Sequence, residues 1–143
     1  MQTLGAQIGT LCRGGEVIEL VGDIGAGKTT FTKGLARSMG VTDDVQSPTF
    51  TISRVYDAPS GLRLAHYDFY RLTNAGVMSM ELTEAMADAQ TVTVVEWAAV
   101  VSDVLPDDVL RITIASTVDE GSRTVDLTAS GERGRRLIEG VGK

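Results

Sequence analysis

Gly22-Asp23-Ile24-Gly25-Ala26-Gly27-Lys28-Thr29 fits the pattern G-x-x-x-x-G-K-[ST] at every fixed position, and Thr30 extends it. Glycines at 22, 25 and 27 open backbone conformations closed to other residues. Several N–H groups can then turn inward onto one anion, helped by the N-terminus of the helix that follows. Lys28, read as an exposed side chain, adds a mobile positive charge for the β- and γ-phosphates of a nucleotide. Thr29 can offer its hydroxyl to a magnesium ion bridging the same phosphates. The alternative is a glycine-rich turn that happens to carry Lys-Thr, and the flanking sequence decides between them. Residues 16–21, Glu-Val-Ile-Glu-Leu-Val, form a short apolar run of the kind buried in a parallel sheet. After the loop, Phe31, Leu35 and Met39 recur at i, i+4 and i+8, Lys33 and Arg37 point elsewhere, and Gly40 is placed to cap the helix. Strand, loop and helix are all present.

Outward from this unit, Leu4, Ile8, Leu11 and Cys12 predict a short amphipathic helix that starts almost at Met1 and ends at Gly14-Gly15. Residues 41–46 read as a polar connector. Ser47-Pro48-Thr49-Phe50 leads into a β-rich run at 51–56, a turn at 57–61 and a second strand at 62–70, together an antiparallel pair. A helix over 76–89 precedes the most apolar strand, 91–95, which stops at Glu96-Trp97. A short helical piece at 98–104 follows. Strands at 110–115 and 124–127 around Asp119-Glu120-Gly121 predict a hairpin, and 132–138 a final helix. The fold class is α/β: a P-loop NTPase-like mixed sheet flanked by helices, with antiparallel hairpins, as a single domain over residues 1–143.

Composition sets the remaining bounds. The chain has 143 residues, 43% hydrophobic and 22% charged, an ordinary soluble globular mixture. No apolar run approaches a bilayer span and the N-terminus lacks a signal-peptide pattern, so a cytoplasmic protein with no membrane partner is expected. Cys12, the lone cysteine, is expected to be buried rather than reactive. The net charge of −6 argues against a broad nucleic-acid face, so DNA is excluded as a partner and any RNA contact needs help from another protein.

Hydrolysis requires more than a cradle: an acid near the magnesium and a group that orients the attacking water. Glu96 ends the most apolar strand, and ligands of open α/β sheets sit at the carboxyl ends of strands. Asp68 lies near the end of 62–70, two residues after His66 and on the same face. Each could instead be a solvated strand-end carboxylate, and which of the two meets the metal stays open. Thr49 sits where a segment sensing the γ-phosphate would fall, or is a threonine chosen for β-propensity. His66, the only histidine, reads as packed or hydrogen-bonded more readily than as a catalyst. Trp97, the only tryptophan, is either a core anchor or a plate facing the nucleotide. Arg133, Arg135 and Arg136 read as a solvated helix face. The Asn-Lys-x-Asp signature of guanine recognition is absent, since Asn74 is the only asparagine and alanine follows it, which favours ATP.

Together these segments resemble the TsaE family of small P-loop ATPases, also called YjeE. The phosphate loop with Thr30, Ser47-Pro48-Thr49-Phe50, His66-Tyr67-Asp68-Phe69-Tyr70-Arg71 and Val95-Glu96-Trp97 resemble the family's characteristic segments in order and spacing, over about Leu4 to Leu127. The loop is shared with very many proteins; Ser-Pro-Thr and Val-Glu-Trp are the specific parts. The resemblance implies a cytoplasmic, Mg-dependent ATPase that joins relatives of TsaB and TsaD and reaches tRNA indirectly, supporting threonylcarbamoyladenosine formation beside the anticodon. It also implies that Thr29 and Glu96 hold the magnesium and that Asp68 is the catalytic aspartate, with Lys28 acting beside them. Family members carry residues ahead of the first helix that reach the nucleotide, whereas this chain begins almost at that helix. Two other readings of the residues remain: a small-molecule kinase in which Asp68 takes a proton from a substrate hydroxyl and Arg71 clamps the acceptor, and a binding module for which ATP is only a conformational ligand.

Overall fold

β1 (Val17–Val21) lies inside the sheet, flanked on both sides by parallel strands: β4 (Thr91–Glu96) and β5 (Leu110–Ser116). In this computed structural model, residues 1–23, 27–48, 51–74, 76, 78–116 and 122–141 are described. The sheet runs β2 (Ser53–Asp57), β3 (Arg63–Asp68), β4, β1, β5, β6 (Arg123–Ala129). β3, β4, β1 and β5 are parallel, and β2 and β6 add to the two edges antiparallel. The predicted mixed sheet with two antiparallel pairs is therefore the observed one. The tip proposed for the second pair, Asp119-Glu120-Gly121, lies outside the described residues.

Every residue of β4 is buried, because both faces of that strand are covered. This explains why Thr91-Val92-Thr93-Val94-Val95 shows no clean alternation in sequence. On one face Ile18, Leu20, Leu64, Val94 and Ile112 pack against Ile8 of α1 (Gln2–Leu11), Phe31 and Leu35 of α2 (Lys28–Ser38) and Leu137 of α4 (Glu132–Val141). On the other, Ala65, Tyr67, Phe69 and Val95 pack against Leu82 of α3 (Met78–Ala87) and against Ala98 and Val101 of a single 3-10 turn, Ala98–Val101.

α1 lies unusually close to the phosphate-loop helix. A Cβ at Gly5 would run into the Phe31 carbonyl oxygen and come within 2.9 Å of the Leu35 nitrogen; one at Gly34 would strike the Gln2 carbonyl. Gly5 and Gly9, which weaken a helix by propensity alone, are what let the two backbones approach. The end of α1 is tied down by a buried charge. Glu16, 1% exposed, accepts the Arg13 and Gly14 N–H groups at 2.8 Å each and the Arg136 guanidinium at 2.8 Å, while Arg136 also donates to the Leu11 carbonyl at 2.8 Å. Arg136 thus fastens α4 to the start of β1, and the expectation of a solvated arginine face fails for that residue. Cys12 beside it is partly buried, and burial together with the Glu16 carboxylate pushes its thiol up to about 12.

Several boundaries differ from those expected, each for a local reason. β2 begins at Ser53 rather than at 51 because Thr51 and Ile52 form a turn, both N–H groups meeting the Pro48 carbonyl at 3.1 and 2.6 Å, with Ile52 at φ +70°. β3 ends at Asp68 because that side chain accepts the Tyr70 N–H at 2.9 Å and folds the chain away. The piece expected over 98–104 shortens to the one 3-10 turn. The last helix runs further, to Val141, with its N-terminus capped by Asp108, which accepts from Arg133 and Gly134 at 2.9 and 3.1 Å.

Candidate functional site

The carboxyl ends of the parallel strands share one edge of the sheet, and there the register sets Leu20, Glu96 and Asp68 side by side on β1, β4 and β3. β1 runs from this edge into the loop, and α2 starts at Lys28, whose side chain reaches Glu96. Gly27 caps α2 at φ +109°, in the left-handed region, and as a glycine offers no side-chain cap to the first helical amides. Any other residue would be strained there, and its Cβ would lie 2.9 Å from Met1 Cγ. Of the cradle, Gly22, Gly27 and Thr29 are partly buried and Asp23 and Thr30 exposed. Ile24, Gly25 and Ala26 lie outside the described residues, as do Thr49 and Phe50 of the connector, although Ser47 and Pro48 are described.

Lys28 is not the exposed cation that the motif alone suggests. It is 6% exposed, its Nζ donates to the Gly22 carbonyl at 2.7 Å, stands 3.7 Å from Glu96 Oε1, and lies 4.2 Å from the centre of the Trp97 ring. The cause is topological. With β4 next to β1, the only acid at the end of β4 is brought beneath the first residue of α2. Glu96 and Asp68 are each 3% exposed, so neither is the solvated strand-end carboxylate that the sequence left open. The second oxygen of Glu96, Oε2, is 2.6 Å from Nε2 of His66, which is fully buried. His66 is therefore hydrogen-bonded, as expected, but its partner on the neighbouring strand is one that no spacing along the chain reveals.

Trp97 follows Glu96 in a left-handed conformation, φ 56° and ψ 53°. For a bulky aromatic residue this is backbone strain of about 1–3 kcal/mol. The turn swings the chain out of β4 and brings the indole against both Lys28 and the Tyr70 ring, whose centroid is 4.8 Å away. The indole also packs against the Tyr67–Phe69–Val95 cluster, so it is both an anchor and a wall of the site. A cavity of about 250 Å³ adjoins it, lined by Leu20, Val21, Gly22, Lys28, Trp97 and Ala98 among others.

The donor set fits a magnesium nucleotide better than a metal held by protein alone. Among the described residues no group of three or more His, Cys, Asp or Glu converges on a point. Magnesium bound together with phosphates needs only one or two protein oxygens, and the Thr29 hydroxyl and Glu96 Oε1 supply those types. The N-terminus of α2 and one ammonium match a polyphosphate. Among the described residues no helix is long and apolar enough to cross a membrane.

Comparison with known proteins shows the family of the chain. The family described as "Threonylcarbamoyl adenosine biosynthesis protein TsaE" matches residues 1–125. The tRNA threonylcarbamoyladenosine biosynthesis protein TsaE of Bacillus subtilis is 42% identical over 125 residues, covering 87% of this chain and 77% of that one. That of Streptomyces coelicolor is 40% identical over 138 residues, covering 93% of each. Among solved structures, Bacillus subtilis YdiB superimposes with a TM-score of 0.79 at 34% identity, covering 99% of this chain and 86% of that one. With a fold and a strand-end site of this kind, and relatives this similar over most of its length, the chain belongs to the TsaE family.

Proposed function

We propose that this protein binds ATP with magnesium at the α2 N-terminus and hydrolyses it, slowly alone and faster with partners, in support of a cytoplasmic complex that makes threonylcarbamoyladenosine beside the tRNA anticodon. The family membership carries the pathway, and relatives of TsaB and TsaD are the partners it suggests. The observation that carries the chemistry is the register: Asp68 and Glu96 stand side by side at the ligand edge with Lys28 Nζ 3.7 Å from Glu96.

The roles follow from that placement. The first α2 amides and Lys28 would hold phosphate oxygens; Thr29 and Glu96 would hold the metal, which would supply charge to offset that of the phosphates. Asp68, whose carboxylate is fixed by the Tyr70 N–H, orients a water and takes its proton. Trp97 and Tyr70 wall the site from bulk water, which strengthens each of these interactions. Only Lys28 serves as a cation at the phosphates among the contacts above, and phosphoryl transfer depends almost entirely on positioning and charge. A site with one cation binds well and turns over poorly, and a partner that adds a cation raises the rate. Steady-state ATPase activity, measured at saturating Mg-ATP for the protein alone and with TsaB and TsaD relatives, tests this. Stimulation is the expected result. Equal rates per mole, with complex formation verified separately, would refute the partner-dependent reading, and no turnover in either mixture would refute the ATPase.

A further inference from the structure

His66 takes no part in the roles just assigned, yet it is a wholly buried polar residue of the site. Its ring is 0% exposed, its Nε2 lies 2.6 Å from Glu96 Oε2, and its Nδ1 has no hydrogen-bond partner among the described residues. A buried imidazole with one nitrogen unsatisfied costs free energy that a leucine in the same place would not. Packing therefore does not explain it. What leucine cannot supply is the N–H aimed at Glu96. Two lone pairs facing each other at 2.6 Å would repel, so with Glu96 as a carboxylate Nε2 carries a proton.

The strands fix this bond at both ends. His66 pairs with Val94 on β4 and with Arg54 on β2, so its backbone is held on both sides. Glu96 pairs with Asp68 and Leu20. The terminal torsion of a glutamate is otherwise soft. With Oε2 held by the ring, the carboxylate plane is set and Oε1 is left on the side of Lys28 and the α2 N-terminus. We propose that His66 is a positioning residue: its Nε2–H locks the Glu96 carboxylate so that Oε1 is presented as a ligand to the magnesium. This rests on the nucleotide reading of Glu96 above. Hydrogen bonds to metal-ligating carboxylates are typically worth 10- to 100-fold in metal affinity.

The test has two parts. ADP affinity of the untagged protein is measured by calorimetry with magnesium and with EDTA. For His66→Leu the affinity in EDTA should match wild type, while the gain from magnesium should shrink by about 10- to 100-fold. His66→Gln, whose amide N–H can reach toward Glu96, should recover most of that gain. A magnesium gain within about twofold of wild type in His66→Leu, or no recovery in His66→Gln, would overturn the proposal. The second part needs no variant. His66 is the only histidine, so long-range ¹H–¹⁵N correlation on the labelled wild type reads one imidazole, with the proton expected on Nε2. A proton on Nδ1 with Nε2 bare would overturn the proposal even if the variants fail to fold. Failure of the wild type to bind ADP in either buffer would refute the proposed function instead, and the tautomer would still decide the His66–Glu96 bond.

Discussion

Lys28→Met keeps the length of the side chain and removes its ammonium, and the loss should reach the stability of the nucleotide-free protein as well as its affinity. A lysine that merely waits in solvent for phosphate could be replaced at no cost to the fold. Here Nζ is 3.7 Å from Glu96 Oε1, where two unit charges attract by about 4–5 kcal/mol at an effective dielectric constant of about 20. Desolvation of both groups offsets much of this. Removing one partner of a buried pair costs about 3–5 kcal/mol, since the other charge is stranded. Glu96 keeps the bond to His66 and sits at an open sheet edge, which lowers the expected loss to about 2–3 kcal/mol. For a chain of this size that is a fall in Tm of roughly 6–10 °C. Glu96→Gln removes the other charge while retaining an oxygen that can accept from His66. In the double variant no charge is stranded, so its loss should be smaller than the sum of the single losses by about 1–3 kcal/mol. Urea and thermal unfolding of the four proteins without nucleotide, with ADP binding measured alongside, complete the cycle. A Lys28→Met protein within about 0.5 kcal/mol of wild type, or additive single losses, would refute the reasoning and return the lysine to solvent.

Asp68→Asn should bind Mg-ATP with wild-type affinity and lower single-turnover hydrolysis by about 10²- to 10⁴-fold, because it keeps the hydrogen bond from Tyr70 and loses the proton acceptor; unchanged turnover would place the base elsewhere. Glu96→Gln should tighten ADP binding in EDTA by a few fold, roughly 1 kcal/mol, since it releases Lys28 and removes a negative charge facing the phosphates. Weaker binding in EDTA would contradict that pairing. Gly5→Ala places a methyl against the Phe31 carbonyl and should cost at least about 1–3 kcal/mol in urea unfolding, with reduced nucleotide affinity as α2 is displaced; a wild-type midpoint would mean that α1 does not brace α2. Cys12 holds its proton more tightly folded than unfolded, so its contribution to stability is complete below pH 9 and is lost as the pH rises toward about 12. Alkylation of the native protein at pH 8 should accordingly be far slower than that of urea-unfolded chain, and equal rates would refute the burial.

The phosphate-loop unit was legible because eight consecutive residues carry it and its flanks obey local periodicities. Glu96 and Asp68 were legible for a more general reason: strand ends of an α/β sheet are where ligands lie, and the strand before Glu96 is too apolar to be anything but interior. What the sequence could not reveal is adjacency across the sheet. That Glu96 lies under Lys28 requires β4 to neighbour β1, and that His66 meets Glu96 requires β3 to neighbour β4 in a register that pairs Asp68 with Glu96. Residues 30 to 68 apart in the chain are joined by no periodicity. The same limit hid the Arg136–Glu16 pair, since a basic run on a helix looks identical whether water or a buried carboxylate receives it. Gly5 and Gly9 weaken a helix by propensity, and only the approach of Phe31, Leu35 and Ser38 of α2 gives them a packing role. Two turns, at Ile52 and Trp97, depend on positive φ in residues that rarely adopt it, and propensity argues against both.

These cross-strand contacts bear on how the site can persist without its ligand. A cradle for polyphosphate and metal must hold a cation and an anion in a partly dry place, and either one alone would be expensive to keep there. In the nucleotide-free arrangement they neutralise one another: Lys28 is held by Gly22, Glu96 and the Trp97 face, and Glu96 by Lys28 and His66. On the proposed function, binding exchanges this internal pair for phosphate on the lysine and metal on the glutamate. The free energy gained is then a difference between two well-paired states. A nucleotide without magnesium satisfies only the lysine and strands the glutamate, whereas magnesium with nucleotide satisfies both. On that reading the site favours the complete magnesium complex over either component, and the preference grows with how firmly His66 holds Glu96 in place.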